Sequence, residues 1–160
     1  MENSNIQLQH IIYKQLNSKQ KERYNFQKIA GILADYGFSS IKLDDDWQGA
    51  DFIANHIDGS TFLKVQLKGR LTFDKKYENK NIFIAFPYEN DWYLLDHDEV
   101  LKLVKESIKN TSSWKDRGIY SWRSISRETK QLIEKYKVQP STNNEYDAKD
   151  LSNNITDLNI

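Results

Sequence analysis

The feature that most restricts how this chain folds is the pair Asp58-Gly59, set between two partly apolar runs, 51–57 and 61–69. An Asp-Gly pair flanked by alternating hydrophobic residues is the strongest short-range hairpin signal, because a two-residue type I′ loop needs positive φ at both central positions. Such a loop fixes the register. Facing residues then have numbers that sum to 117, which sets Ile57 against Ser60, Ile53 against Lys64 and Asp51 against Gln66. Directly opposed residues project to one face with Cβ atoms about 5 Å apart. Lys68, two positions beyond Gln66, falls on that face too.

The second strand of the hairpin divides by alternation, Leu63, Val65 and Leu67 on one face and Lys64, Gln66 and Lys68 on the other. The apolar face is expected to pack on a helix. On spacing alone the polar face has two readings. It is either the solvated side of an antiparallel hairpin or, if the sheet is covered there as well, a polar site, because burying such groups without partners is costly. As a site, the set suits phosphodiester hydrolysis. The Asp carboxylate and the Gln carbonyl are hard oxygen ligands for Mg²⁺, and a lysine can orient or activate water and stabilise charge developing on phosphorus.

Around the hairpin the chain reads as one mixed α+β domain spanning 1–140. From Ser18 an amphipathic helix carries Phe26, Ile29, Leu33 and Tyr36 on one stripe and stops at Gly37. One turn towards the N-terminus the stripe reaches Glu22, which either emerges at the domain edge or points into a site where it has a partner. Strands are expected at 39–43, 51–57, 61–69, 81–86 and 92–95, and a second helix over 98–109 carries Leu101, Val104 and Ile108. Ser126 caps a third helix over 128–136. The expectation is an N-terminal helix on a mixed central sheet of about five strands, followed by two C-terminal helices.

Residues 141–160 are polar, acidic and without periodicity, and read as a mobile tail. Their net charge of −3 leaves +3 on residues 1–140, because the whole chain balances 23 basic against 23 acidic residues. That is too little for a generic nucleic-acid coat and predicts salt-sensitive binding only where cations cluster. Cysteine is absent, so any metal must sit on oxygen or imidazole. No run approaches the ~20 apolar residues that span a bilayer, and the polar start lacks the core of a signal peptide, so a soluble cytoplasmic protein is expected.

Several other clusters have two readings each. Arg70, Lys75, Lys76 and Lys80 could line a phosphate path or, interleaved with Asp74 and Glu78, form a solvated loop. Asp96, His97, Asp98 and Glu99 suggest either a metal site or the capped start of a helix, and the capping reading is preferred. Asp44, Asp45 and Asp46 read as a loop before a second-metal ligand. His10 and His56 are assigned no role. Trp114, Tyr120 and Trp122, mixed with Lys115, Arg117 and Arg123, suit base stacking, but packing on the third helix or on a second subunit is favoured.

A helix with a leading Glu22, the run 49–54 (GADFIA), a hairpin and the run 62–70 (FLKVQLKGR) together resemble the core of the PD-(D/E)xK nuclease superfamily, over about residues 22–86. The resemblance implies a restriction-endonuclease-like fold and a catalytic set of Glu22, Asp51, Gln66 and Lys68. Asp51, Gln66, the main-chain carbonyl of Leu67 and Glu22 would then hold Mg²⁺ or Mn²⁺. Lys64, Arg70, Lys75 and Lys76 would face nucleic acid. Ala50 stands at the proline position and Gln66 at the second acidic position, a QxK variant similar to intron homing endonucleases and some restriction enzymes; the core is also similar to that of Holliday junction resolvases. The glutamine removes one negative charge, so metal binding should lean on Asp51, Glu22 and the substrate phosphate. The implied function is a metal-dependent DNA endonuclease or DNA-processing nuclease, working as a homodimer or larger homo-oligomer, since cutting two strands takes two sites. An inactive DNA-binding or protein-interaction module and an RNA-directed nuclease are the alternatives.

Overall fold

The computed structural model describes residues 8–142, so the expected acidic tail lies outside the described residues except for Ser141 and Thr142. Helix α1 (Ser18–Ala34) is followed by strands β1 (Phe38–Trp47), β2 (Ala50–His56), β3 (Phe62–Leu67), β4 (Thr72–Asp74), β5 (Ile82–Tyr88) and β6 (Asp91–Asp96). Helices α2 (His97–Ile108) and α3 (Ser112–Arg117), strand β7 (Ile119–Ser121), helix α4 (Arg127–Ile133) and the two-residue strand β8 (Lys137–Val138) complete the order. Six strands form a sheet in the order β1-β2-β3-β5-β6-β8, while β4 pairs with β7 apart from it.

The fold is therefore α+β with a mixed sheet, one strand larger than expected because β8 is too short to leave a sequence pattern. Only the β3–β5 neighbours run parallel. Parallel neighbours need a crossover, and this one passes through β4 and a 3₁₀ turn at Lys75–Tyr77. A third helix, α3, adds to the two expected after the sheet. No helix among the described residues is long and apolar enough to cross a membrane.

Helix α1 begins with a reciprocal capping box. The Asn17 Oδ1 accepts from the Gln20 amide and the Gln20 Oε1 from the Asn17 amide, both at 2.9 Å. Its inward face is Ile29 and Leu33, fully buried, with Asn25 in place of the expected Tyr36. The helix ends at Ala34, so Tyr36 falls past its last turn and is half exposed; its hydroxyl accepts from the Gln139 amide. Asn25 is satisfied by donating to the Tyr13 hydroxyl at 2.9 Å.

The β2–β3 register is the one expected, Ile53 opposite Lys64 and Phe52 opposite Val65, but the loop that sets it differs. Asp58 keeps a negative φ and its carboxylate accepts from the Ser60 amide, the Thr61 amide and the Thr61 hydroxyl. That Asx-type loop closes with the His56 amide on the Thr61 carbonyl at 2.9 Å, leaving four residues, 57–60, in the loop. Lengthening a loop by one residue on each side preserves the sum of facing numbers, so the register survives while Ile57 and Ser60 leave the ladder.

The two-residue turn with positive φ at both positions occurs one hairpin earlier, at Gln48 (φ 54°) and Gly49 (φ 91°) between β1 and β2. Residues 44–46, expected as a loop, belong to β1, whose pairing with β2 is regular from Phe38 to Lys42 and resumes only at Trp47. Lys42 and Trp47 face Phe52 and Ala50, so β1 carries three more residues than β2 over this stretch. The excess bulges the strand next to the turn.

Both faces of the sheet are covered. On the α1 side Phe52, Ala54, Val65 and Ala85 pack with Ile29 and Leu33. On the other, Ile82, Ile84, Phe86 and Leu95 join Val100, Val104 and Ile108 of α2, with Phe73, Tyr77 and Trp114 in the same cluster. At its centre the polar row of β3 therefore meets protein rather than solvent, with Gln66 only 8% exposed, while Lys64 and Lys68 on either side of it are half-buried.

Candidate active site

The β2–β3 ladder runs from Asn55–Phe62 to Phe52–Val65 and ends there. At the next position the Asp51 side chain takes over from the backbone. Its Oδ2 accepts from the Leu67 amide at 2.7 Å and from the Gln66 Nε2 at 2.5 Å. The same Gln66 nitrogen approaches the Leu67 carbonyl oxygen at 3.4 Å. A partly positive NH₂ group thus lies between a carboxylate and a carbonyl oxygen, which is the electrostatic place of a cation. The oxygens available here, one carboxylate, one side-chain amide and one main-chain carbonyl, are the hard donors that Mg²⁺ or Mn²⁺ takes. Rotating the Gln66 amide by half a turn would present its oxygen instead of its nitrogen.

Burial is the largest influence on Asp51 and raises its pKa above the ordinary aspartate value of 3.8. The Leu67 N–H and the charges of Lys68 and Lys42 oppose that rise, while Glu22 adds to it. The signs give a pH-dependent prediction. A carboxyl whose folded pKa is raised penalises the fold most above that pKa, and the penalty fades as pH falls towards the unfolded value. Asp51→Asn should therefore melt higher than the wild type at about pH 7.5, with the gap narrowing towards about pH 4.5. Melting curves across that range check it; an unchanging gap, or an Asn variant that melts lower at neutral pH, would contradict the assignment of burial as the dominant influence.

Lys68 enters the same region from the end of β3, where its amide continues the parallel ladder by donating to Ala85 O at 2.8 Å. Its Nζ donates to the Tyr77 hydroxyl at 3.1 Å and lies 5.2 Å from the centre of that ring. Burial lowers the Lys68 pKa, helped by Lys76 and opposed by Asp51, Asp74 and Asp46. Tyr77 is almost fully buried, and burial raises its pKa, so it stays a neutral phenol that can accept from the ammonium. Tyr77 had no sequence signal, since it sits in a lysine-rich stretch that reads as loop.

Glu22 stands further off. Its carboxylate is paired with Lys42 Nζ at 2.5 Å and reaches Asp51 only through the field that helps raise the aspartate's pKa. The structure therefore joins Asp51, Gln66 and Leu67 by direct contact, brings Lys68 within electrostatic range of Asp51, and leaves Glu22 at the rim. Asp46 is held by the turn, accepting from the Gly49 amide at 2.7 Å, and Asp74 caps the Lys75–Tyr77 turn by accepting from Lys76 N. Among the described residues no three His, Cys, Asp or Glu side chains are grouped so as to hold a metal ion by themselves.

The expected nucleic-acid contacts have local partners in three of four cases. Lys64 reaches Gln48 Oε1 at 3.4 Å and the Trp47 ring, Lys75 lies over Trp114, and Lys76 lies over Tyr77 and near Asp74. Arg70 is exposed. In the 96–99 cluster, Asp96 caps α2 by accepting from the Glu99 amide. His97 is fully buried, with Nε2 accepting from the Asp74 amide and Nδ1 2.8 Å from Asp98. Trp114 is buried and Trp122 packs edge-on against Phe73, so the aromatic segment joins the larger core instead of α4 alone.

No family model, curated protein or solved structure matches this chain.

Proposed function

We propose that this chain is a metal-dependent nuclease with a restriction-endonuclease-like core of the PD-(D/E)xK kind, acting on DNA. The observation that carries the reading is the meeting of Asp51, Gln66 and the Leu67 carbonyl at the point where the β2–β3 ladder ends, with the half-buried Lys68 beside them. Asp51, the Gln66 amide oxygen and the Leu67 carbonyl would hold the metal. A bound divalent ion supplies Lewis acidity at the scissile phosphate and lowers the pKa of water. Lys68, with its lowered pKa, positions the attacking water and shares its proton more readily than a surface lysine, while its charge offsets the negative charge gathering on phosphorus. Tyr77 keeps that ammonium aimed. Glu22 and Lys42 bias the Asp51 carboxyl from the rim.

The test is cleavage of supercoiled, linear and single-stranded DNA by purified protein in Mg²⁺ or Mn²⁺, with EDTA and RNA arms. Metal-dependent nicking or linearisation is expected. Absence of cleavage on every substrate in both metals would overturn the reading.

A second reading, an inactive module that binds nucleic acid or protein, is favoured by one observation: a single carboxylate stands at the point of contact and Gln66 satisfies it internally. The two readings part on metal binding. A ligand of the folded state raises its melting temperature by mass action, so millimolar Mg²⁺ should stabilise a nuclease and leave the inactive module unmoved.

A further inference from the structure

We propose that the cleft where the small β4–β7 sheet meets α3 binds a phosphate of a nucleic-acid strand. The cleft measures about 650 Å³ and is lined by Arg70, Arg117 and Arg123, with no acidic side chain. The three arginines come from the β3–β4 link, the last turn of α3 and the segment just past β7. They are brought together by the pairing of Thr72 with Ser121, by a 2.7 Å hydrogen bond between the two hydroxyls, and by the Trp122 amide donating to Leu71 O. That last bond places Arg70 and Arg123 on chain segments that lie side by side.

None of the three is in an ion pair among the described residues. Like charges gathered around one hollow repel, and the natural relief is an anion. Arginine forks match phosphate oxygens two at a time. Arg117 is already oriented, its Nη2 donating to Ser113 Oγ at 3.1 Å while that hydroxyl donates to Ile119 O. Tyr120 and Trp122 line the same hollow and offer ring surface on which a base can stack. A strand is favoured over a free anion by continuity: Arg70 follows Lys68 by two residues, a span of at most about 7 Å. The identity of the ligand as a nucleic-acid strand rests on the nuclease reading; the anion site itself does not.

The test is fluorescence anisotropy of a labelled single-stranded DNA 12-mer with the full chain, in EDTA so that no cleavage intervenes. The double variant Arg117→Ala/Arg123→Ala is compared with Lys14→Ala/Lys19→Ala, which removes equal charge elsewhere. The cleft variant should bind at least about tenfold more weakly, and the salt slope should become shallower by about 0.7, the loss of one phosphate contact on a single strand. The control pair should change by less than about twofold. A 5′-phosphorylated and a 5′-hydroxyl oligonucleotide distinguish a terminal from an internal phosphate. Equal affinity of the cleft variant and the control pair overturns the proposal. Because all three arginines are exposed, the cleft variant should melt with the wild type, and the milder Arg117→Lys/Arg123→Lys should recover part of the affinity. Binding lost in the cleft variant alongside a wild type that cuts nothing would leave the cleft standing and remove the nuclease; cleavage with cleft-independent binding would do the reverse.

Discussion

Asp51→Ala and Lys68→Ala should each lower metal-dependent DNA cleavage by about 10²–10⁴-fold, the range typical of losing one acid–base or charge-stabilising group. The two losses should differ in kind. Removing Asp51 takes away the only carboxylate among the described residues in contact with Gln66 and Leu67, so raising Mg²⁺ should recover little, and stabilisation by Mg²⁺ should vanish as well. Removing Lys68 leaves the oxygen donors in place, so metal-induced stabilisation should persist while the rate falls. Initial nicking rates of plasmid DNA across a Mg²⁺ series, read beside melting curves, separate them. Wild-type rates in both variants would remove the site from the chemistry.

Gly49→Ala should destabilise the fold by about 2–4 kcal/mol, combining strained backbone with an overpacked neighbour. The residue sits at φ 91°, and a Cβ there would meet the Tyr77 ring at 2.9 and 3.0 Å, closer than carbon atoms pack. Gly59→Ala is the matched comparison, because its φ of 72° imposes strain while nothing lies within 4 Å of its added Cβ. The Gly59 variant should therefore lose about 1 kcal/mol. Since the ring that Gly49 touches is the one that holds Lys68, its variant should also slow cleavage more than its stability loss explains. Chemical denaturation reads the first effect, and equal losses at the two glycines would refute the steric argument.

The facing of Ile53 with Lys64 follows from counting outward from Asp58-Gly59, and holds although Asp58 builds the loop through its carboxylate rather than through positive φ. Register depends on the sum of positions and is insensitive to a symmetric change in loop length. The turn at Gln48-Gly49 leaves little signal because glutamine has no intrinsic preference for positive φ; in the structure the turn is held by Asp46 accepting from the Gly49 amide, and the Tyr77 ring leaves no room there for a Cβ. Tyr36 continues the hydrophobic period yet lies two residues past the helix end at Ala34, because the period says nothing of where a helix stops. Arg70 and the pair Arg117 and Arg123 each stand out in the sequence, but their meeting in one cleft leaves no signal, because it depends on β4, a three-residue strand whose partner lies at Ile119–Ser121.

The parallel pairing of β3 with β5 has a further consequence, for the order in which these parts can come together. Asp51 and Gln66 belong to one hairpin, a local contact of the kind that closes in microseconds. Lys68 is positioned by Ala85 and by Tyr77, so its place depends on a crossover that must return before the ladder can zip. A chain emerging from the ribosome only as far as residue 70 already contains Asp51, Gln66 and Leu67 but lacks Tyr77 and Ala85, the partners that position Lys68. On the nuclease reading, chemistry would wait on a pairing between strands that are not neighbours in sequence, and a partly made chain would carry Asp51, Gln66 and the Leu67 carbonyl without an aimed lysine.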